Sequence, residues 1–167
     1  YFSSLFESLA KGNEMFGYLN SFQVFLEAGG MFLAPLLVNK VGAKNGLILS
    51  GIIMAIRVLG SGIVEDPISI SALKLLHAIE LPIMLISIFK YIAYSFDPRL
   101  SATVYLVGFQ FMTQVAASGL SVVAGKMYDH MGFSQSYIFM GIIVSVFVVI
   151  SYFLLKPPPA ELNTPST

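Results

Sequence analysis

The sequence predicts an all-α polytopic membrane protein, and three observations carry that prediction. Hydrophobic residues make up 56% of the chain and charged residues 11%, against about 25% charged in a soluble domain, and mean hydropathy is +0.82. The apolar residues gather in stretches near the roughly 20 residues that a lipid-spanning helix needs. Short segments rich in Gly, Pro, Asn and Asp separate those stretches. Five ionisable residues, Glu27, Arg57, Lys74, His77 and Glu80, sit inside them. A charge in hydrocarbon costs roughly 2.5–3.5 kcal/mol by insertion scales, so such residues face a protein-lined cavity and mark an ion or substrate path.

The elements follow in order. Tyr1–Leu9 is apolar but too short to span. The opening YFSSLF has no Met, no basic n-region and no small-residue cleavage site, so it does not resemble a signal peptide. It reads as the tail of a helix that starts upstream, and the sequence reads as a fragment. Phe16–Val38 is the first full span, opened by Gly12 and Asn13 and closed by Asn39–Lys44. Gly46–Val64 is the second, closed by Glu65-Asp66-Pro67. Ile68–Tyr94 is the third and longest, closed by Phe96-Asp97-Pro98-Arg99. Leu100–Val123 is the fourth, closed by the segment Gly125–His130. Tyr137–Leu155 is the fifth and carries no charge. Residues 1–155 therefore read as one helix bundle, and 156–167 as a polar, proline-rich, disordered tail.

Sidedness follows from the basic residues. Five spans put 39–45, 95–99 and the tail on one side, with Lys40, Lys44, Lys90, Arg99 and Lys156; the other side has only Lys11 and Lys126. That bias makes the C-terminus cytoplasmic, in a plasma membrane. A faint internal echo joins Pro35-x-x-x-Asn39-Lys40-x-Gly42 to Gly125-x-x-x-Asp129-His130-x-Gly132. The two loops fall on opposite faces, as in a 3+3 inverted repeat. Two Gly-containing helix ends can also match by chance, and spacing alone does not decide.

Lys74, His77 and Glu80 recur every three residues and fan over one polar face of the third span. Pro82 lacks an N–H and frees a carbonyl one turn earlier, beside that face. Glu80 is the candidate proton carrier: a carboxyl that approaches Arg57 in one conformation and leaves it in another would couple protonation to structural change. A permanent Arg57–Glu80 salt bridge is the bland alternative. His77 can donate and accept, so it could bind a hydroxyl, relay a proton or hold Glu80. Asn20, Gln23 and Glu27 share a helix face and offer donors and acceptors that suit a neutral polyhydroxylated ligand. Gln110 and Gln114 make a second stripe that reads as polar glue between helices. Gly29, Gly30, Gly60 and Gly62 read as sites of close helix packing. Zero net charge and no basic run argue against nucleic acid, and the absence of cysteine excludes disulfides and thiol chemistry. No cofactor and no metal site are implied. Two rival classes stand beside a transporter: an intramembrane enzyme using His77 and Glu80, and a structural membrane subunit with the charges as assembly contacts.

Several stretches also resemble a known family. GYLNSFQVFLEA (17–28), IIMAIRVLG (52–60), LKLLHAIELP (73–82), FKYIAYSFDPRLSATVYLVGFQ (89–110) and AGKMYDHMGF (124–133) are similar to the C-terminal half of the lactose/sucrose/raffinose permeases. These are the oligosaccharide–proton symporters of the major facilitator superfamily. The resemblance covers nearly the whole chain, to about Leu155. It implies the end of helix seven and helices eight to twelve of a twelve-helix symporter of bacterial inner membranes. It implies proton coupling at Arg57 and Glu80, His77 as the link between proton and sugar, and a structural ion pair of Lys74 with an acid on helix seven. The Asn20/Gln23/Glu27 face and His77 are the candidate sugar contacts on their own side-chain chemistry. The expected partners are a sugar, a proton, the lipid bilayer and the N-terminal six-helix half, in a monomer. Two positions depart from lactose permease: its sugar-linked Glu of helix eight aligns with Val24, one turn before Glu27, and its helix-eleven Lys aligns with Thr113. Both departures favour sucrose, raffinose or melibiose over lactose.

Overall fold

The computed structural model describes residues 12–156, and all its regular structure there is helical. Helix α1 is Gly12–Val41, α2 Ala43–Ile63, α3 Pro67–Leu75, α4 His77–Ser95 and α5 Pro98–Thr103. A π-helical stretch, Val104–Phe111, leads into α6, Met112–Leu154. The expected partial helix at 1–9 and the tail after Lys156 lie outside the described residues.

Local chemistry sets the helix starts. The Asp66 carboxylate accepts a hydrogen bond from the Ser69 N–H at 2.8 Å, and Pro67 occupies the first helical position, where no N–H is needed. That backbone bond favours the charged form and holds the Asp66 carboxyl below its usual range. Asp97 and Pro98 repeat the device at α5, with the Arg99 N–H donating at 2.8 Å. Both Asp-Pro pairs lie where the apolar runs end.

Two expectations need correction. The segment Gly125–His130 does not close the fourth span as a loop. Helix α6 continues through it and turns only at Gly132 (φ 78, ψ 171). Tyr128 holds the corner from before the turn, with ring centroids 4.8 Å from Phe133 and 6.1 Å from Tyr137. Residues 39–45 likewise shrink to a one-residue corner at Gly42 (φ 86, ψ 154). These two glycines are the only positive-φ residues described, and that backbone region is essentially closed to residues with a Cβ. They occupy the last position of each echoing motif, so the echo has a backbone cause. The third span is one helical run over Ile68–Ser95, as expected, but its ladder breaks step at Leu76, where it tightens to bonds three residues apart (Leu76 N–H to Leu73 O 3.2 Å, Ile79 N–H to Leu76 O 3.1 Å). The break leaves Lys74 on α3 and puts His77 and Glu80 in the first turn of α4.

Helix α2 is the centre of the packing. It runs antiparallel to α4, with Gly46 against Ser87 and Arg57 against Glu80. It also runs antiparallel to the second half of α6, with Gly51 against Val148 and the Ser134 hydroxyl donating to the Gly62 carbonyl. Helix α1 lies beside α3 and α4 in the same direction, with Asn20 near Lys74 and the Lys90 ammonium donating to Asn39. Ala34, Val38 and Ile83 form the small buried core. Large apolar side chains elsewhere stand open, and every residue from Phe111 to Val123 is exposed. Four helical runs are long and apolar enough to cross a membrane; the last, Arg99–Leu154, has length for two spans about the Gly132 corner.

Small residues set the closest approaches. A Cβ on Gly62 would stand 2.9 Å from both the Ile138 nitrogen and the Ser134 carbonyl oxygen. A Cβ on Gly30 would stand 2.9 Å from the Ala78 carbonyl, the acceptor that Pro82 leaves free, whereas one on Gly29 would meet nothing within 4 Å. Gly29 therefore does not serve the close packing expected of it. Gly62→Ala in the full-length protein is expected to destabilise the bundle by about 1–3 kcal/mol, because backbone rather than a flexible side chain must yield. Gly29→Ala is expected to stay within about 0.5 kcal/mol. Thermal unfolding of the two purified variants checks the contrast; equal stability would remove Gly62 from the helix contact.

Candidate functional site

Two polar clusters stand on either side of the Leu76 break. In the first, the Arg57 Nε donates to Glu80 Oε2 at 2.8 Å across the α2–α4 interface. The Glu80 side chain is 3% exposed and the Arg57 side chain 19%, so this is an interior ion pair rather than a surface one. The Ser61 hydroxyl donates to the Arg57 carbonyl at 2.8 Å and satisfies the helix behind it. His77 Nδ1 lies 3.8 Å from Glu80 Oε2, beyond hydrogen-bond range, and it has no other partner although it is buried. The cluster thus holds a paired carboxylate and an imidazole nitrogen free to take a hydrogen bond.

The second cluster joins α1 to α3. Lys74 Nζ donates to Asn20 Oδ1 at 3.0 Å and lies 4.4 Å from the centroid of the Phe16 ring. Gln23 Nε2 donates to Glu27 Oε1 at 2.7 Å, and the Glu27 charge is within electrostatic reach of Lys74. The buried Gln23 Oε1 accepts nothing. The structure therefore brings Asn20, Gln23, Glu27 and Lys74 together, and separately Arg57, His77 and Glu80. Within the chain, the Lys74 ammonium meets Asn20, with the Glu27 charge in electrostatic reach. Phe16 beneath it was missed by sequence reasoning. Its only signal is the i, i+4 spacing to Asn20.

The remaining polar candidates stand apart. Gln110 Nε2 meets the Tyr105 hydroxyl at 3.4 Å, and Gln114 is exposed. Val24 is 56% exposed, and the Thr113 hydroxyl donates to the Phe109 carbonyl at 2.6 Å. Among the described residues no three His, Cys, Asp or Glu side chains could hold a metal ion.

Long apolar helices with ionisable clusters between them define a multi-pass membrane protein built around interior charge. The chain belongs to the LacY proton/sugar symporter family, whose model matches residues 1–166. It is 43% identical over 156 residues to the melibiose permease of Enterobacter cloacae, covering 93% of this chain and 37% of that protein. It is 45% identical over 163 residues to the raffinose permease of Escherichia coli, covering 98% and 38%. It is 42% identical over 156 residues to the lactose permease of Klebsiella oxytoca, covering 93% and 38%. The chain thus spans less than two fifths of the length of these relatives. All three are permeases rather than enzymes, and identities of 42–45% do not separate the sugars.

Proposed function

We propose that the full-length protein carrying this chain is a proton-coupled oligosaccharide symporter of a bacterial inner membrane. The observation that carries the reading is Glu80, a carboxylate held in the interior by Arg57 at 2.8 Å beside an unpartnered imidazole nitrogen of His77. In the empty carrier Arg57 holds the Glu80 carboxylate. A rotation that separates them leaves a carboxyl too costly to keep charged, and it takes a proton. Sugar hydroxyls bind the Asn20/Gln23/Glu27 face, where Gln23 Oε1 waits for a donor, and engage His77 at the break between α3 and α4. Occupied sugar and protonated Glu80 then belong to the same conformation, and alternating access carries both.

Residues 1–155 form the C-terminal bundle of this transporter, 156–167 its tail, and an N-terminal six-helix half completes the cavity around a monomeric carrier. Lys40, Lys44, Lys90, Arg99 and Lys156 put the C-terminus in the cytoplasm. Val24 and Thr113 favour sucrose, raffinose or melibiose over lactose. The test adds each of these four sugars to energy-depleted cells that express the full-length protein. An alkaline shift of an unbuffered medium is expected with at least one sugar. Sugar entry without proton uptake would leave a uniporter, and no entry of any of the four would refute the substrate class.

A further inference from the structure

An apolar groove of about 440 Å³ lies between α2, α4 and the second half of α6, away from both polar clusters. Leu47, Ile48, Met84, Ile88, Phe147 and Leu155 are among its walls. Its volume is within the roughly 300–1,000 Å³ of ligand clefts. Phe147 is 64% exposed, so the groove opens sideways from the bundle rather than into it. Its long axis runs from Met54 and Val144 to Leu47, Ser151 and Leu155, where α2 begins and α4 and α6 end.

The mouth at that end is cationic and aromatic. Lys44 Nζ lies 5.3 Å from the centroid of the Tyr152 ring. The Lys156 N–H donates to the Tyr91 hydroxyl at 3.2 Å, which ties the chain after α6 to the end of α4. Lys44 stands one turn from Ile48, and Lys156 follows Leu155, so both residues lie at this end of the groove. Among the described residues neither ammonium has a carboxylate within salt-bridge distance. Tyrosine suits such a position because its ring is apolar and its hydroxyl is wet.

We infer that this groove and its rim bind one anionic phospholipid, with an acyl chain along the groove and the phosphate between Lys44 and Lys156. The groove supplies apolar contact that a soluble anion would not use. The two ammonium groups, without a carboxylate partner among the described residues, favour a headgroup with net negative charge over a zwitterionic one. The site is independent of the sugar and proton reading, since it shares no residue with it.

The chain contains no tryptophan, which provides the test. Phe147→Trp is introduced into the full-length protein with any other tryptophan removed, and the protein is reconstituted in phosphatidylcholine vesicles. Acyl-brominated phosphatidylglycerol or acyl-brominated phosphatidylcholine is then added. Phosphatidylglycerol is expected to quench at a lower mole fraction, by roughly 5-fold for each rim lysine. Lys44→Gln with Lys156→Gln is expected to remove that preference, and Lys40→Gln, outside the groove, to retain it. Equal quenching by the two lipids in the parent would overturn the proposal. So would a preference that survives the double substitution, or one that Lys40→Gln abolishes equally, which would mark diffuse surface charge.

Discussion

Glu80→Gln in the full-length protein is expected to abolish uphill sugar accumulation and to leave sugar exchange near the wild-type rate. The amide keeps the size of a protonated carboxyl and can still accept the Arg57 Nε hydrogen bond that now spans 2.8 Å. It has no proton to release. On the proposed mechanism the sugar-loaded carrier forms and moves, because it needs a neutral group at this position. The empty carrier cannot return by way of a charged Arg57–Glu80 pair, so net transport stalls. Accumulation against a gradient and equilibrium exchange, measured on the same vesicles, separate the two steps. Wild-type accumulation in the variant would remove Glu80 as the coupling group. Loss of both activities would instead mark Glu80 as a residue that positions the sugar or the fold.

Much of the architecture is legible because membrane burial leaves a one-dimensional record. Apolar runs place the span centres, and Asp66-Pro67 and Asp97-Pro98 place two helix starts, since each cap needs only neighbours in sequence. The Arg57–Glu80 contact is legible for a different reason: two opposite charges in apolar segments have few affordable partners other than each other. The shared face of Asn20, Gln23 and Glu27 follows from helical spacing alone.

What was not legible depends on contacts between helices. Nothing in Leu75-Leu76-His77 announces a break, yet Lys74 turns to Asn20 on α1 while Glu80 turns to Arg57 on α2. Polar residues at Lys126, Asp129 and His130 suggest a loop, but Tyr128 stacks across the corner and the helix persists to Gly132. Gly29 and Gly30 look alike in sequence, and only Gly30 faces the Ala78 carbonyl. The π-helical stretch Val104–Phe111 has no proline to foretell it, and the sequence offers no account of it.

Arg57→Ala is expected to lower stability more than any other single change considered, and Glu80→Gln is expected to restore much of the loss. Removing the guanidinium leaves a carboxylate whose side chain is 3% exposed without its cation. Its other side-chain neighbour of opposite polarity, His77 Nδ1, is 3.8 Å away. Breaking a buried pair from one side costs about 3–5 kcal/mol, because the surviving charge has neither water nor partner. Neutralising Glu80 in the same protein removes that penalty, and the double variant is left mainly with the lost contacts of the arginine stem. Thermal unfolding of the purified wild type, both single variants and the double variant completes the cycle. The expected order has the double variant above Arg57→Ala. If the double variant is no more stable than Arg57→Ala, Arg57 contributes by packing between α2 and α4. The carboxylate would then not be the group it neutralises, and the coupling step assigned to the pair would lose its physical basis.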